Sequence, residues 1–533
     1  MPAKNIAGSI TFSVSNPGSI HPITRYSVGT FMKKYLAFAV TLLGMGKVIA
    51  CTTLLVGNQA SADGSFIIAR NEDGSANNAK HKVIHPVAFH QQGEYKAHRN
   101  NFSWPLPETA MRYTAIHDFD TNDNAMGEAG FNSAGVGMSA TETIYNGRAA
   151  LAADPYVTKT GITEDAIESV ILPVAQSARQ GAKLLGDIIE QKGAGEGFGV
   201  AFIDSKEIWY LETGSGHQWL AVRLPADSYF VSANQGRLRH YDPNDNANYM
   251  ASPTLVSFAK KQGLYDPARG EFDFHQAYSQ DNKNDTTYNY PRVWTLQHQF
   301  NPHLDTVVSE GETFPVFLTP ITKISVAAVK NALRNHYQGT SHDPYASHNP
   351  QEPWRPISVF RTQESHILQV RPKLPQAIGN VEYIAYGMPS LSVYLPYYQG
   401  MRHYQPGDDK GTDRASNDST YWTFRTLQTL VMQDYNAFAP DVQHAWKTFE
   451  QQTAKQQYKM EQSYLRLYAS HPKEAQRLLQ NFENFEDKTM QMQNFEDKTM
   501  QNAQTLARRL TNNIITTMTY RTDMKYHFSS TQP

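Results

Sequence analysis

The only cysteine of this 533-residue chain, Cys51, stands directly after a segment that has the three parts of an export leader. Two lysines open the segment, residues 35–45 form its mostly apolar centre, and Val48 and Ala50 are the small residues of a cleavage site. One cysteine permits no internal disulfide, so a packed core must stabilise the fold. Cleavage after Ala50 would give Cys51 both a thiol and a free α-amine, which is a nucleophile with its own base.

The leader also sets expectations for location. Its apolar centre is about a dozen residues, whereas a helix that spans a bilayer needs about 20. No later stretch is apolar over such a length, so the sequence predicts no stable membrane span and an exported, soluble mature chain, periplasmic or secreted. Residues 1–31 precede a second methionine, Met32, and are interpreted as an upstream segment, with the signal peptide at 32–50.

The length and composition are sufficient for a large folded chain. Removal of residues 1–50 from 533 leaves 483, enough for one large domain with appendages or for two domains. Apolar residues make up 40% of the chain, with 29 Tyr and 25 Phe, which suffices for a core. The formal net charge is −2, so the chain has no basic surface of the kind that binds nucleic acid.

A hairpin at the start of the mature chain carries the first candidate site. Residues 52–56 are apolar and β-branched, residues 62–65 form a turn, and residues 66–69 are a second strand. This hairpin would bring Arg70 and Asp73 back beside Cys51.

Other patterns predict a mixture of strands and helices. Apolar residues recur at helical spacing over 164–191, residues 197–212 form a second hairpin, and the Gln-, Leu- and Met-rich stretch 423–520 is mostly helical. Strands are also expected at residues 219–223, 229–232 and within 354–370. The octapeptide NFEDKTMQ occurs twice, at Asn484 and Asn494, and is interpreted as a small duplication in a helix.

An N-terminal thiol hydrolase needs a specific set of neighbours. A cation favours the thiolate, a carboxylate orients the amine, and amide donors stabilise the oxyanion. Arg70 and Asp73 supply the first two in the predicted hairpin. The alternative interpretation of these two residues is a surface ion pair that follows a strand.

Several stretches taken in order resemble a known family. They are CTTLLVG with ADGSFIIARNEDGS (51–75), GEAGFNSAGVGMSATET (127–143), GFGVAFIDSKEIWYLETGSGHQWLAVRLP (197–225), YFVSANQGR (229–237), RPISVFRTQESHILQVRPKLP (355–375) and GMPSLSVYLPYYQG (387–400). The chain resembles the cysteine-nucleophile dipeptidases of the dipeptidase A type. These are Ntn hydrolases related to penicillin V acylase and bile salt hydrolase.

The resemblance implies a fold and a set of site residues. The fold would be α+β, with a four-layer αββα sandwich at 51–420. The helical C-terminal region at 421–533 is expected from its composition, and the resemblance extends to it only loosely. Cys51 matches the nucleophile, Arg70 and Asp73 match the pair beside it, and Asn234 matches an asparagine of the oxyanion hole. Arg361 matches a later arginine near the nucleophile.

Glu142 departs from the related acylases, which place another oxyanion residue near this position. A carboxylate cannot donate to an oxyanion unless it is protonated, so Glu142 would instead bind the free ammonium group of a peptide. The alternative interpretation is an acid at the end of a strand on the surface. A dipeptidase that cleaves short peptides with free N-termini is therefore expected.

Two other functions stay open at this stage. A penicillin- or bile-salt-type acylase would use the same mechanism on another acyl group. Residues 48–51 also satisfy a loose lipoprotein box, and lipidation of Cys51 would block both catalytic groups and give a membrane-tethered binding protein. Histidines at 81, 85, 90, 342 and 348 match no metal-binding spacing, so no metal or cofactor is expected. The sequence leaves self-association open.

Overall fold

A computed structural model describes residues 51–89, 93–119, 126–345, 354–401, 403–470 and 486–523. The upstream segment 1–31 and the signal peptide 32–50 lie outside the described residues, so both stay predictions. The described residues belong to one unit of the chain. They form antiparallel sheets and helices, which confirms the α+β class.

The larger sheet of the described residues has seven strands, and every neighbouring pair is antiparallel. In spatial order they are β16 (Phe317–Leu318), β14 (Tyr229–Ser232), β1 (Thr52–Val56), β2 (Phe66–Asp73), β17 (Thr362–Val370), β18 (Asn380–Tyr386) and β19 (Leu395–Tyr398). The predicted hairpin of β1 and β2 is confirmed, although β2 continues four residues further than its predicted end. In the stretch 354–370, by contrast, the strand begins only at Thr362.

The second sheet has six strands in the described chain. In spatial order they are β15 (Tyr249–Ala251), β13 (Trp219–Arg223), β12 (Ile208–Thr213), β11 (Phe198–Ile203), β10 (Gly137–Thr143) and β9 (Ala129–Phe131). Strands β11 and β12 confirm the predicted hairpin within 197–212. The pairing of β10 with β11 shifts register between Ala140 and Glu142, and this bulge lies beside a candidate site residue.

Among the described residues, three two-stranded sheets lie between β2 and β9 in the sequence. They pair β3 (Lys80–His85) with β8 (Tyr113–Asp118), β4 (Ala88–Phe89) with β7 (Thr109–Ala110), and β5 (Gly93–Lys96) with β6 (Ser103–Leu106). Strand β3 carries Lys80, which reaches the charged groups described below.

The helices of the described residues are short before residue 420 and long after it. They are α1 (Arg148–Ala153), α2 (Glu164–Ile171), α3 (Ala178–Lys192), α4 (Leu255–Lys261), α5 (Phe274–Tyr278), α6 (Asp285–Tyr288), α7 (Tyr290–Phe300), α8 (Val326–Leu333), α9 (Gln376–Gly379), α10 (Thr420–Val431), α11 (Tyr435–Ser470) and α12 (Glu486–Asp523). Three-residue 3₁₀ helices lie at Pro267–Arg269, Gly311–Thr313 and Pro389–Leu391.

The prediction of one continuous helix over 164–191 is wrong, because this stretch forms α2 and α3 with a break between them. Pro173 has no backbone N–H and cannot continue the hydrogen-bond ladder of α2. The chain then restarts at Ser177, whose Oγ accepts a hydrogen bond from the backbone nitrogen of Gln180 at 3.1 Å and caps α3.

Side chains alternate across each strand, and this alternation separates the cores. Leu55 and Ile68 on the larger sheet pack with Tyr210 and Leu220 of the second sheet in one cluster. Their sequence neighbours on the larger sheet point the other way and pack with α7 and α8. The outward residues of the second sheet pack against α2 and α3.

Three of the described helices follow residue 419, in the stretch where composition predicts helix. Residues of α10, α11 and α12, such as Phe424, Trp446 and Ala503, share a core cluster with Tyr386 and Leu395 of the larger sheet. The second copy of the duplicated octapeptide lies within α12, whereas the first copy begins outside the described residues. Among the described helices, none is both long and apolar enough to cross a bilayer.

Candidate active site

Cys51 immediately precedes β1, and its side chain is fully buried. The thiol donates a hydrogen bond to Oε2 of Glu72 at 3.2 Å, and Nη1 of Arg70 lies 3.5 Å from Sγ. In the β1–β2 hairpin, Thr53 pairs with Arg70. Residues 51 and 53 therefore share a face of the larger sheet with residues 70 and 72.

A chain of buried charges extends from the thiol. Arg70 forms ion pairs with Glu72 and, at 2.9 Å, with Glu128, whose other oxygen lies 3.0 Å from Nζ of Lys80. Lys80 also contacts Asp118 at 2.5 Å, at the more exposed end of the chain of charges. Each internal charge thus has an opposite charge beside it, which a buried ion needs.

These charges shift the pKa values of the site. Burial raises the pKa of the Cys51 thiol, Glu72 raises it further, and Arg70 opposes both, so that the pKa lies well above its ordinary value. Burial also raises the pKa of Glu72, with Glu128 adding to the effect. For Glu128, burial is outweighed by Lys80 and Arg70, which lower its pKa to about 2.

Asp73 lies on the opposite face of β2 from Arg70 and is completely buried. Its Oδ2 accepts a hydrogen bond from Arg355, and its Oδ1 accepts one from Oγ1 of Thr362 at 2.5 Å. These contacts fix the carboxylate at the end of the strand. The pKa of Cys51 also responds to the charge of Asp73, so the two residues are electrostatic neighbours.

Asn234 is joined to Cys51 through Arg292 of α7. Arg292 donates from Nη1 to the carbonyl oxygen of Cys51, and from Nη2 to Oδ1 of Asn234 at 2.8 Å and Oδ1 of Asn289 at 2.6 Å. The Nδ2 of Asn234 donates to the carbonyl oxygen of Thr143 at 3.1 Å. Burial lowers the pKa of Arg292 to about 10, and the like charge of Arg355 contributes.

Glu142 is buried on β10 and is joined to β1 by one hydrogen bond. Oγ1 of Thr53 donates to its Oε2 at 2.6 Å. Its Oε1 is buried and has no hydrogen-bond partner among the described residues. Burial raises the pKa of Glu142 to about 7, although the bond from Thr53 and the charge of Arg292 oppose this shift. The interpretation of Glu142 as a surface acid is therefore wrong.

Arg361 directly precedes β17 and contacts Tyr288 of α6. Its Nη2 donates to the hydroxyl of Tyr288 at 2.9 Å. The ring of Tyr288 lies 5.1 Å from the guanidinium of Arg292 and 5.6 Å from that of Arg355. Arg361 is thus linked to the residues around Cys51 through this ring.

The predicted residues therefore meet at one place, but sequence reasoning missed four of their partners: Glu72, Arg292, Asn289 and Arg355. Glu72 could have been found from the alternation of side chains, because Arg70 and Glu72 are two residues apart in one strand. Arg292 and Asn289 come from the segment that begins α7 and lack such a marker. Arg355 lies within a matched stretch but outside any strand.

The chain is similar to a family of known proteins. Residues 50–448 match the model of peptidase family C69. A probable dipeptidase of Latilactobacillus sakei is 35% identical over 392 residues, 73% of this chain and 82% of that protein. A probable dipeptidase A of Streptococcus pyogenes serotype M3 is 36% identical, covering 74% and 85%, and dipeptidase A of Lactobacillus helveticus is 31% identical, covering 77% and 87%. These matches confirm the resemblance found in the sequence, and the chain belongs to peptidase family C69, a family of cysteine peptidases.

Proposed function

We propose that the chain is an exported dipeptidase that hydrolyses the peptide bond of short peptides with free N-termini. The observation that carries the proposal is the position of its only thiol. Cys51 directly follows the leader-like segment and is buried between Arg70, Glu72 and the Arg292–Asn234 pair. The names of the relatives support the same activity.

The chemistry starts when residues 1–50 are removed. The new α-amine of Cys51 accepts the thiol proton, and the sulfur attacks the carbonyl carbon of the peptide bond. Model α-amines have a pKa of about 7.7–8.0, so a useful neutral fraction is present near neutral pH. The protonated amine returns the proton to the leaving amine, and a water molecule then hydrolyses the thioester.

The other predicted residues support these steps. Arg70 favours the thiolate and Asp73 orients the amine. Asn234 stabilises the oxyanion: its NH₂ group has two donors, and one of them is engaged with Thr143. Arg361 orients groups around the nucleophile through Tyr288.

Glu142 provides the preference for a free N-terminus. Its Oε1 is a buried acceptor with no described partner, which is the type of atom that a substrate ammonium would satisfy. The ionised form binds the ammonium best, so this interaction strengthens as the pH rises through about 7. This residue favours the dipeptidase over the acylase alternative, since acyl substrates of that kind carry no free ammonium at this position.

The same proposal covers the fold, the domains and the location. The catalytic domain at 51–420 is an Ntn-type four-layer αββα sandwich, supported by the shared core of the two sheets and by the helices against their outer faces. Residues 421–533 are a helical C-terminal region. Residues 32–50 act as the signal peptide, with residues 1–31 upstream of it.

Lipidation of Cys51 is the less favoured alternative, because it would leave the surrounding residues without a chemical role.

A matched pair of purified proteins tests the mechanism. One starts at Cys51, and the other keeps an uncleavable leader, so that its α-nitrogen is a peptide amide. We expect only the first to hydrolyse dipeptides in a panel that also contains penicillin V and a bile-salt conjugate. Equal turnover by both proteins would remove the α-amine from the mechanism, and preference for penicillin V would favour the acylase. The intact mass of the exported protein separates a free Cys51 from a lipidated one.

A further inference from the structure

Glu72 has no role in the mechanism above, yet it is the acceptor of the hydrogen bond from the Cys51 thiol, at 3.2 Å. Its carboxylate also pairs with Arg70, whose Nη1 lies beside the same sulfur. All three residues are at most 1% exposed, so bulk water does not screen these interactions. Glu72 is therefore placed to control both the orientation and the ionisation of the thiol.

The chain of charges next to the thiol holds three acidic residues and two basic ones, so it has no surplus positive charge for a thiolate. Glu72 and Glu128 are balanced by Arg70 and Lys80, and Asp118 follows at the exposed end. Burial raises the pKa of Glu72, but Arg70 and Lys80 favour its ionised form. Loss of the thiol proton to solvent would therefore place an extra negative charge beside this carboxylate in a buried site, which is unfavourable. Transfer of the proton to the residue's own α-amine leaves the total charge unchanged.

We propose that Glu72 is a positioning residue for the nucleophile: it accepts the thiol hydrogen bond and keeps the sulfur protonated until the α-amine of Cys51 is free to take the proton. This inference rests on the proposed N-terminal cysteine mechanism. In the step itself the S–H bond breaks and an N–H bond forms on the α-nitrogen, while Glu72 gains no proton. Before cleavage that nitrogen is a peptide amide and cannot accept it, so the thiol stays unreactive.

The high pKa of the Cys51 thiol, raised by burial and then by Glu72, is consistent with this role. Other groups also act on the pKa of Cys51 or of Glu72. They are Arg70 and Asp73 on β2, Lys80 on β3, Glu128 before β9, Glu142 on β10 and Glu164 on α2.

The test measures alkylation of the uncleavable-leader protein by iodoacetamide as a function of pH, read by intact mass. Because Cys51 is the only cysteine in the chain, the added mass reports on this thiol alone. Burial slows the reaction at every pH, whereas a change in the thiol pKa moves the pH of the half-maximal rate. We expect the wild-type midpoint to lie above the value of about 8.5 for a free cysteine.

Glu72→Gln should move this midpoint down by about one pH unit or more, because a like charge next to the thiol is removed. Glu72→Asp keeps the charge but shortens the reach to Sγ. It should keep the high midpoint and lower kcat of the mature enzyme about tenfold through lost positioning. Glu382→Gln is the matched control, since Glu382 is a buried carboxylate paired with Lys82 on β3, and it should leave the midpoint unchanged.

An unchanged midpoint in Glu72→Gln would overturn the inference. A wild-type midpoint at or below that of a free cysteine would also overturn it. This second measurement uses only the wild-type protein, so it does not depend on the folding of a variant. Alkylation requires neither substrate nor turnover, so its outcome is separate from that of the dipeptide panel. A mature protein that cleaves no dipeptide would contradict the proposed function, whatever the midpoints are.

Discussion

Glu142→Gln should stabilise the folded protein at alkaline pH, because the wild-type carboxylate is buried with one oxygen lacking a partner in the described structure. Burial raises its pKa from about 4.5 to about 7. A folded pKa above the unfolded one means that the contribution of Glu142 is most favourable below about pH 4.5 and is lost as the pH rises to 7. At 1.36 kcal/mol for each pH unit, the ionised group costs about 3 kcal/mol at pH 8.

The assay is urea unfolding of wild type and Glu142→Gln at pH 4.5 and at pH 8. The difference in unfolding free energy between the two proteins should change by about 3 kcal/mol in favour of the variant across this range. Constant effects, such as the fit of the amide next to Thr53, cancel in the comparison of the two pH values. Glu128→Gln is the control of opposite sign. Lys80 and Arg70 outweigh burial and lower the pKa of Glu128, so its loss should destabilise the protein at pH 8. A stability difference for Glu142→Gln that does not vary with pH would refute the reasoning.

Three further predictions concern activity. Glu142→Gln should reduce the preference for free over N-acetylated dipeptides about ten- to a hundredfold in kcat/KM, the worth of a charge-assisted hydrogen bond of about 1.5–3 kcal/mol; an unchanged preference would place the ammonium elsewhere. Cys51→Ser should lower turnover by several orders of magnitude with the fold kept by circular dichroism, and alkylation of the wild type should do the same while chelators have no effect. Restoration of chelator-treated enzyme by zinc would contradict a thiol mechanism. Asn234→Ala should lower kcat about a hundred- to a thousandfold if its Nδ2 donates to the oxyanion, and a loss confined to KM would assign it to substrate binding instead.

The local hairpins could be predicted because the turn residues and the strand residues that identify each hairpin lie next to one another in the sequence. Residues 52–56 and the hairpin at 197–212 needed no distant information, and both formed as predicted. The prediction of one helix over 164–191 was wrong because apolar residues keep a helical spacing across Pro173. Spacing alone does not show that proline has no backbone N–H to continue the helix. The proposed four-layer arrangement rests on the resemblance, since no local pattern in the sequence indicates which sheet packs on which.

The residues around Cys51 also divide into those that local patterns predict and those that only the tertiary fold brings together. Arg70 was found because the hairpin returns it to Cys51, and the register of Thr53 opposite Arg70 is a local property. Arg292 lies 241 residues from Cys51 in the sequence, and no local pattern relates the two. Only the packing of α7 against the larger sheet brings its guanidinium to the Cys51 carbonyl.

The end of β2 decides how the two acids of the Arg-Asn-Glu-Asp stretch are used. A strand that stopped at Ala69 would leave Glu72 and Asp73 in a loop, where either could turn toward the thiol. Because β2 continues to Asp73, alternation places Glu72 on the face of Cys51 and Asp73 on the face of Arg355. One carboxylate therefore accepts the hydrogen bond from the thiol, while the other is held by an arginine and Thr362 at the strand end. Two adjacent acids thus acquire different partners from the two-residue period of a strand, which is why the extension of β2 by four residues bears directly on the chemistry of the site.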